Sequence, residues 1–182
     1  MAKIKITKPQ RRTTRLKHYD YRQPGAYYIT ICTFKRMCVF GKIANNKMVL
    51  NEYGLLVNDE WNKTFELREN LVKDEFIVMP NHIHGILWIN DSTSGTARRA
   101  PTFGDSLPDS LASIVGSFKS AVTRKINKMR LSPAKPVWQR NYYEHVIRKD
   151  ESLDQIREYI LNNPVNWATD PNNPASILQG HD

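Results

Sequence analysis

The chain has 182 residues, 40% of them hydrophobic, and its 27 Lys and Arg against 18 Asp and Glu give a formal charge of +9. That length and apolar content suit one globular domain, and the charge favours a polyanionic partner, although a ribosome-associated or merely soluble basic protein would share it. There is no apolar run of about 18 residues to span a membrane, no secretory apolar core in residues 1–6, and only Cys32 and Cys38 as thiols, in no paired zinc spacing; a reduced cytoplasmic protein is expected.

Residues 1–24 hold Arg11, Arg12, Arg15, Lys17 and Arg22 and read as an irregular basic arm. After Gly25, the β-branched and aromatic run at 26–33 predicts a central strand. Residues 38–50 predict a hairpin turning at Asn45 and Asn46, after which Asn51 caps a helix with Tyr53, Leu56, Val57, Trp61 and Phe65 along one stripe. Two strands follow at 72–79 and 82–89, broken by Pro80 and Asn81.

The polar stretch 90–107 predicts an internal loop. Pro108 and Asp109 are expected to open a second helix, which buries Leu111, Ile114, Val115, Phe118, Val122 and Ile126 and leaves Lys119, Arg124, Lys125, Lys128 and Arg130 mostly on its polar side. A last strand is expected over 137–148. Ser152 with Gln155 forms a capping box for a third helix, which Pro164 stops after Asn163. This order predicts an α+β fold, an antiparallel sheet of about four or five strands with helices packed on it. The domain reading is an arm at 1–24, one domain at 25–167 and a tail at 168–182.

His82 and His84 stand one residue apart on a predicted strand, whose period of two sends both imidazoles to one face while Ile83 points behind them. Such a pair can hold one metal ion, although most pairs of this spacing are surface or core histidines. On the third helix Gln155, Tyr159 and Asn163 recur every four residues, in a row along the axis. A tyrosine in such a row is usually a core residue. If the helix crosses the histidines, the row brings a phenol and an amide carbonyl to the metal together.

Three segments carry a resemblance. Met79, Pro80, Asn81, His82, Ile83, His84 and Gly85; the run from Trp138 to Arg148; and Arg157, Glu158, Tyr159, Ile160, Leu161, Asn162, Asn163 and Pro164 resemble the REP-associated tyrosine transposases, relatives of the single-tyrosine HUH transposases of the smallest insertion sequences. The likeness runs from about Arg11 to Trp167, and the ending of Tyr159, Ile160, Asn163 and Pro164 favours the REP-associated branch. It implies cleavage and rejoining of single-stranded or hairpin DNA through a 5′-phosphotyrosine on Tyr159, with Mg²⁺ or Mn²⁺ on His82 and His84. Asn163 stands where the insertion-sequence enzymes carry a glutamine as third ligand. Arg12, Arg15, Lys119, Arg124, Lys128 and Arg140 are expected to hold DNA phosphates, and Trp138, Tyr142 and Tyr143 to stack on bases or fill the core.

The resemblance leaves open a homodimer and whether Tyr159 meets its own histidines, and it implies a cytoplasmic protein associated with the nucleoid when DNA-bound. The alternative is a hairpin-binding protein that keeps the fold without cutting. A replication initiator or relaxase needs more chain than 182 residues, and a structural zinc site lacks the cysteines.

Overall fold

A computed structural model describes residues 23–91, 110–148 and 150–178. Arg12, Arg15 and nearly all of the basic arm and of the polar loop lie outside the described residues. The elements run β1 (Gly25–Cys32), β2 (Gly41–Ala44), β3 (Lys47–Leu50), α1 (Glu52–Glu66), β4 (Leu71–Val78), β5 (His82–Ile89), α2 (Leu111–Met129), β6 (Tyr143–Ile147), α3 (Asp150–Asn162) and α4 (Pro174–Leu178), with 3-10 turns at Phe34–Arg36 and Trp167–Thr169.

Four strands form one antiparallel sheet in the order β4-β5-β1-β6. It is the α+β arrangement that the sequence predicts, with β2 and β3 set apart as a hairpin. Asn45 and Asn46 both take positive φ, the conformation of a two-residue turn that matches strand twist and that asparagine tolerates better than most residues. Asn51 caps α1 by accepting from the Tyr53 and Gly54 amides, each at 3.0 Å.

The two faces of the sheet have different work. Tyr27, Ile29, Ile31, Ile83 and Leu87 join α1 and α2 in the main core. There Trp61 stacks on Phe76 with ring centroids 4.6 Å apart, and it lies so close to Gly85 that a Cβ at that position would come within 2.8 Å of the indole. The opposite face carries Tyr28, Thr30, His82, His84 and Ile86, and α3 covers part of it through Leu153, Ile156 and Ile160. Because β6 lies at the sheet edge, Tyr143 on this face stays exposed.

Three boundaries differ from the sequence reading. Ser110, not Pro108 or Asp109, caps α2, its hydroxyl accepting from the Ser113 amide at 3.2 Å. Helix α3 opens at Asp150, so Ser152 sits inside its first turn rather than at the cap. The last strand covers 143–147 instead of 137–148, with only an isolated Thr33 to Trp138 bridge before it. The cause is Lys119, whose ammonium takes the carbonyls of Gln139, Arg140 and Asn141 at 2.7, 3.2 and 3.5 Å and so withdraws them from the ladder. Residues 168–178, read from sequence as the front of a tail, fold back toward β5 through Asp170 and Asn172. Among the described residues no helix is long and apolar enough to cross a membrane.

Candidate active site

The register of β1 against β5 sets Thr30 opposite His84 and Cys32 opposite His82, and opposed residues of an antiparallel pair share a face. Both imidazoles are buried, and their Nε2 atoms lie 3.0 Å apart. The other ring nitrogens are occupied. His82 Nδ1 meets Asn81 Oδ1 at 2.8 Å, and the Asn81 amide group donates to the carbonyls of Arg36 and Asn172 at 2.9 and 2.8 Å. That orientation leaves Asn81 Oδ1 as an acceptor, so His82 carries its proton on Nδ1 and has a bare Nε2.

His84 Nδ1 lies 2.8 Å from both Tyr28 Oη and Thr30 Oγ1, and Thr30 donates its own proton to Tyr28 at 3.1 Å. With its proton on Nδ1, as in His82, His84 donates to the lone pairs of Thr30 and Tyr28 and leaves Nε2 bare; with Nδ1 accepting from the Tyr28 hydroxyl, Nε2 carries the proton and donates to His82. In the first state two bare nitrogens face each other across 3.0 Å, the arrangement a cation between them requires; in the second they share one proton. Ligand bonds of about 2.1 Å at a right angle separate two donors by about 3.0 Å, the spacing of adjacent positions on an octahedron.

Two oxygens complete the cluster. Asp170 is buried, and one of its carboxylate oxygens lies within 4.8 Å of a ring nitrogen on each histidine. The Asn172 amide donates to Asp170 Oδ1 at 2.5 Å, and Asn163 Nδ2 donates to Oδ2 at 3.1 Å. Asn163 Oδ1 is buried with no hydrogen-bond partner among the described residues. Two imidazoles, a carboxylate and an orphaned amide oxygen suit a hard divalent cation such as Mn²⁺ or Mg²⁺. Burial holds the His82 imidazole down at about 4 against the pull of Asp170 and Asn163, and burial followed by His82 holds His84 well below its ordinary value. Both rings are therefore neutral ligands at pH 7.

Tyr159 reaches this cluster within its own chain. Its ring centroid is 5.3 Å from that of His84, at 64° between planes, and the residue is 41% exposed. Burial and the charge of Asp170 raise its pKa, with Asn163 acting the other way. Tyr28, His84, Tyr143 and Tyr159 wall a pocket of about 370 Å³ into which Arg36 also faces, its Nη1 donating to the Pro171 carbonyl at 2.7 Å.

A REP-associated tyrosine transposase bound to a REP hairpin matches this fold at a TM-score of 0.58, with 19% identity over 85% of this chain and 74% of its own. The chain shares the fold of that transposase. A Deinococcus radiodurans structure aligns more loosely, at a TM-score of 0.46 and 17% identity over 82% of this chain and 97% of its own. In sequence, the chain belongs to one family with an uncharacterized Haemophilus influenzae protein, to which it is 44% identical over 168 residues, 88% of this chain and 91% of that one. No protein-family profile matches the chain.

In this fold His82, His84, Asn163 and Tyr159 come together, with Tyr159 on α3 and Asn163 one residue past its end. The expected phosphate contacts fare differently. Arg124, Lys128 and Arg140 are exposed, whereas the Lys119 ammonium is spent on three protein carbonyls. Sequence reasoning misses Asp170, Asn81, Tyr28 and Thr30. The register of two strands signals Tyr28 and Thr30, but nothing in the order of residues points from Asp170 to the histidines.

Proposed function

We propose that the chain is a metal-dependent transposase or endonuclease of single-stranded DNA, which cleaves and rejoins strands at hairpin sequences through a 5′-phosphotyrosine on Tyr159. The observation that carries this reading is the Tyr159 ring against His84, whose Nε2 lies 3.0 Å from that of His82. A basic chain supplies the attraction for DNA. The REP hairpin bound by the solved transposase supports a hairpin as the substrate here.

His82, His84 and Asp170, with Asn163 Oδ1, would hold Mg²⁺ or Mn²⁺. When bound, that cation supplies positive charge which offsets Asp170 and neutralises a non-bridging phosphate oxygen as charge grows there. The chain supplies the rest. The phenolic oxygen of Tyr159 attacks phosphorus and loses its proton to solvent or a neighbouring base; the bond from phosphorus to the 3′ oxygen breaks, and that oxygen departs to become a 3′-hydroxyl. One phosphodiester is exchanged for another, so a returning 3′-hydroxyl reverses the step with no nucleotide cofactor. Arg36, in the same pocket, is placed to pair with a phosphate.

Denaturing electrophoresis of protein mixed with a hairpin oligonucleotide carrying an unpaired 5′ extension tests the proposal. A labelled protein adduct is expected with Mn²⁺ or Mg²⁺, absent with chelator and absent in Tyr159→Phe. Tight binding with no adduct under either cation assigns the chain instead to hairpin binding without cleavage.

A further inference from the structure

Two concavities meet at Gln139. One is the pocket that holds Tyr143, Tyr159 and Arg36. The other is a groove of about 490 Å³ between α2 and the segment at 136–140, lined by Arg124 and Arg140, and Gln139 lines both. Residues 139–141 are the partition. Gln139 still donates its backbone amide to the Cys32 carbonyl at 2.9 Å, and beyond it the segment leaves the ladder, its three carbonyls held by Lys119 from α2.

We infer that groove and pocket are one continuous channel for an unpaired strand, which passes from Arg124 and Arg140 across Gln139 to Tyr159, with Lys119 as the positioning residue that holds the crossing in place. The chemistry changes along this path. Exposed guanidiniums on the groove suit phosphates, which position a strand without reading it. The Gln139 amide offers a donor and an acceptor to a base edge at the crossing. Beyond it Tyr143, 46% exposed and set edge-on against Tyr28 with centroids 6.1 Å apart, presents a ring on which one base can stack. Lys119 contributes no phosphate contact, because its ammonium is already satisfied by the protein. The identity of the strand as DNA rests on the proposed function, whereas its path does not.

The test uses the full chain carrying Tyr159→Phe, so that nothing is cut, and a fluorescein-labelled oligothymidylate. Affinity is measured against salt concentration. Arg124→Gln and Arg140→Gln are each expected to lower the slope of log affinity on log salt by about 0.7, the share of one phosphate on a single strand. Lys119→Met leaves the slope unchanged. Tyr143→Ala also leaves the slope unchanged while weakening binding about tenfold.

A single 4-thiothymidine stepped along the strand then reports the path by photocrosslinking. Crosslinks to the peptide holding Gln139 are expected at positions between those that reach Arg124 and those that reach Tyr143. Lys119→Met disperses them and Lys119→Arg restores them. The channel is overturned if neither arginine variant moves the slope, if Lys119→Met moves it as they do, or if the crosslinks fall in another order. The arginine slopes and the crosslink order are read on surface variants and on the Tyr159→Phe parent, so they decide the matter even where Lys119→Met folds poorly. Failure of the cutting proposal shows separately, as the absence of any adduct from the unsubstituted chain.

Discussion

Arg157 and Asp74 are joined by two hydrogen bonds, Nε to Oδ1 at 2.8 Å and Nη2 to Oδ2 at 2.6 Å, which fasten the helix that carries Tyr159 to edge strand β4. Trp88 Nε1 donates to the same Oδ2 at 2.9 Å. A planar fork on a carboxylate fixes the rotation of a helix as well as its position, and rotation of α3 is what sets the distance from Tyr159 to His84. Asp74→Asn keeps the shape and removes the charge. It is expected to cost about 1–3 kcal/mol in urea unfolding and to lower the adduct yield in parallel. An unchanged midpoint would class the pair with exposed ion pairs that contribute nothing measurable.

Two pH windows of stability follow from the site. The Arg157 hydrogen bonds, against burial and with help from Trp88, hold the Asp74 carboxyl at about 2. A depressed folded-state value stabilises fully above the ordinary value of about 4, and that contribution is lost as pH falls from about 4 toward 2. Burial depresses His82 to about 4, so below about 6.5 the unfolded chain binds a proton that the folded one refuses, and stability declines from about 6.5 down to about 4. Melting temperatures of the metal-free protein should therefore fall in two separate descents. His82→Gln with His84→Gln should remove the upper one and Asp74→Asn the lower. A single descent near 4 would mean that the imidazoles titrate as exposed groups.

Much of this architecture is legible in local sequence, because local signals decide it. Asn45 and Asn46 tolerate the positive φ of their turn, Asn51 has an amide-facing oxygen for its helix, and the alternation around Ile83 sends both histidines one way. The failures are non-local. The early break before β6 depends on Lys119, 20 residues upstream of Gln139, and the entry of Asp170 depends on a chain reversal after Pro164. Helix starts slip by about two residues where a nearby side chain competes to cap, as Ser110 does ahead of α2. The row of Tyr159 and Asn163 is readable from spacing, but what it faces is not.

Gly85 is required by packing rather than by backbone conformation. An added Cβ would lie 2.8 Å from Trp61 Cζ2 and 3.2 Å from Phe76 Cδ2, two rings already stacked on each other and closed in by the core. Neither ring can swing aside as the tip of a flexible side chain would. Gly85→Ala is expected to destabilise by about 1–3 kcal/mol through overpacking. Because the strain arises next to His84, Mn²⁺ affinity should fall as well. If chemical denaturation finds the variant as stable as the parent, the indole has room that the structure does not show.

The ligands of the proposed metal site depend on groups behind them. Asn81 holds the His82 proton on Nδ1, and Thr30 and Tyr28 can accept one from His84 Nδ1, the state in which both Nε2 lone pairs converge on a cation. Removing an orienting partner lets the ring turn or change tautomer without deleting a ligand. Thr30→Val and Asn81→Leu are each expected to weaken Mn²⁺ binding about 10–100-fold, measured by titration calorimetry. Asp170→Asn should weaken it too, since a neutral amide replaces the one buried carboxylate of the cluster. Tyr159→Phe provides the contrast: the ring remains against His84, the hydroxyl is gone, and the affinity should hold even though no adduct forms. If Thr30→Val and Asn81→Leu both bind Mn²⁺ as the parent does, the paired imidazoles are held by packing alone and their hydrogen bonds do not prepare them for a cation.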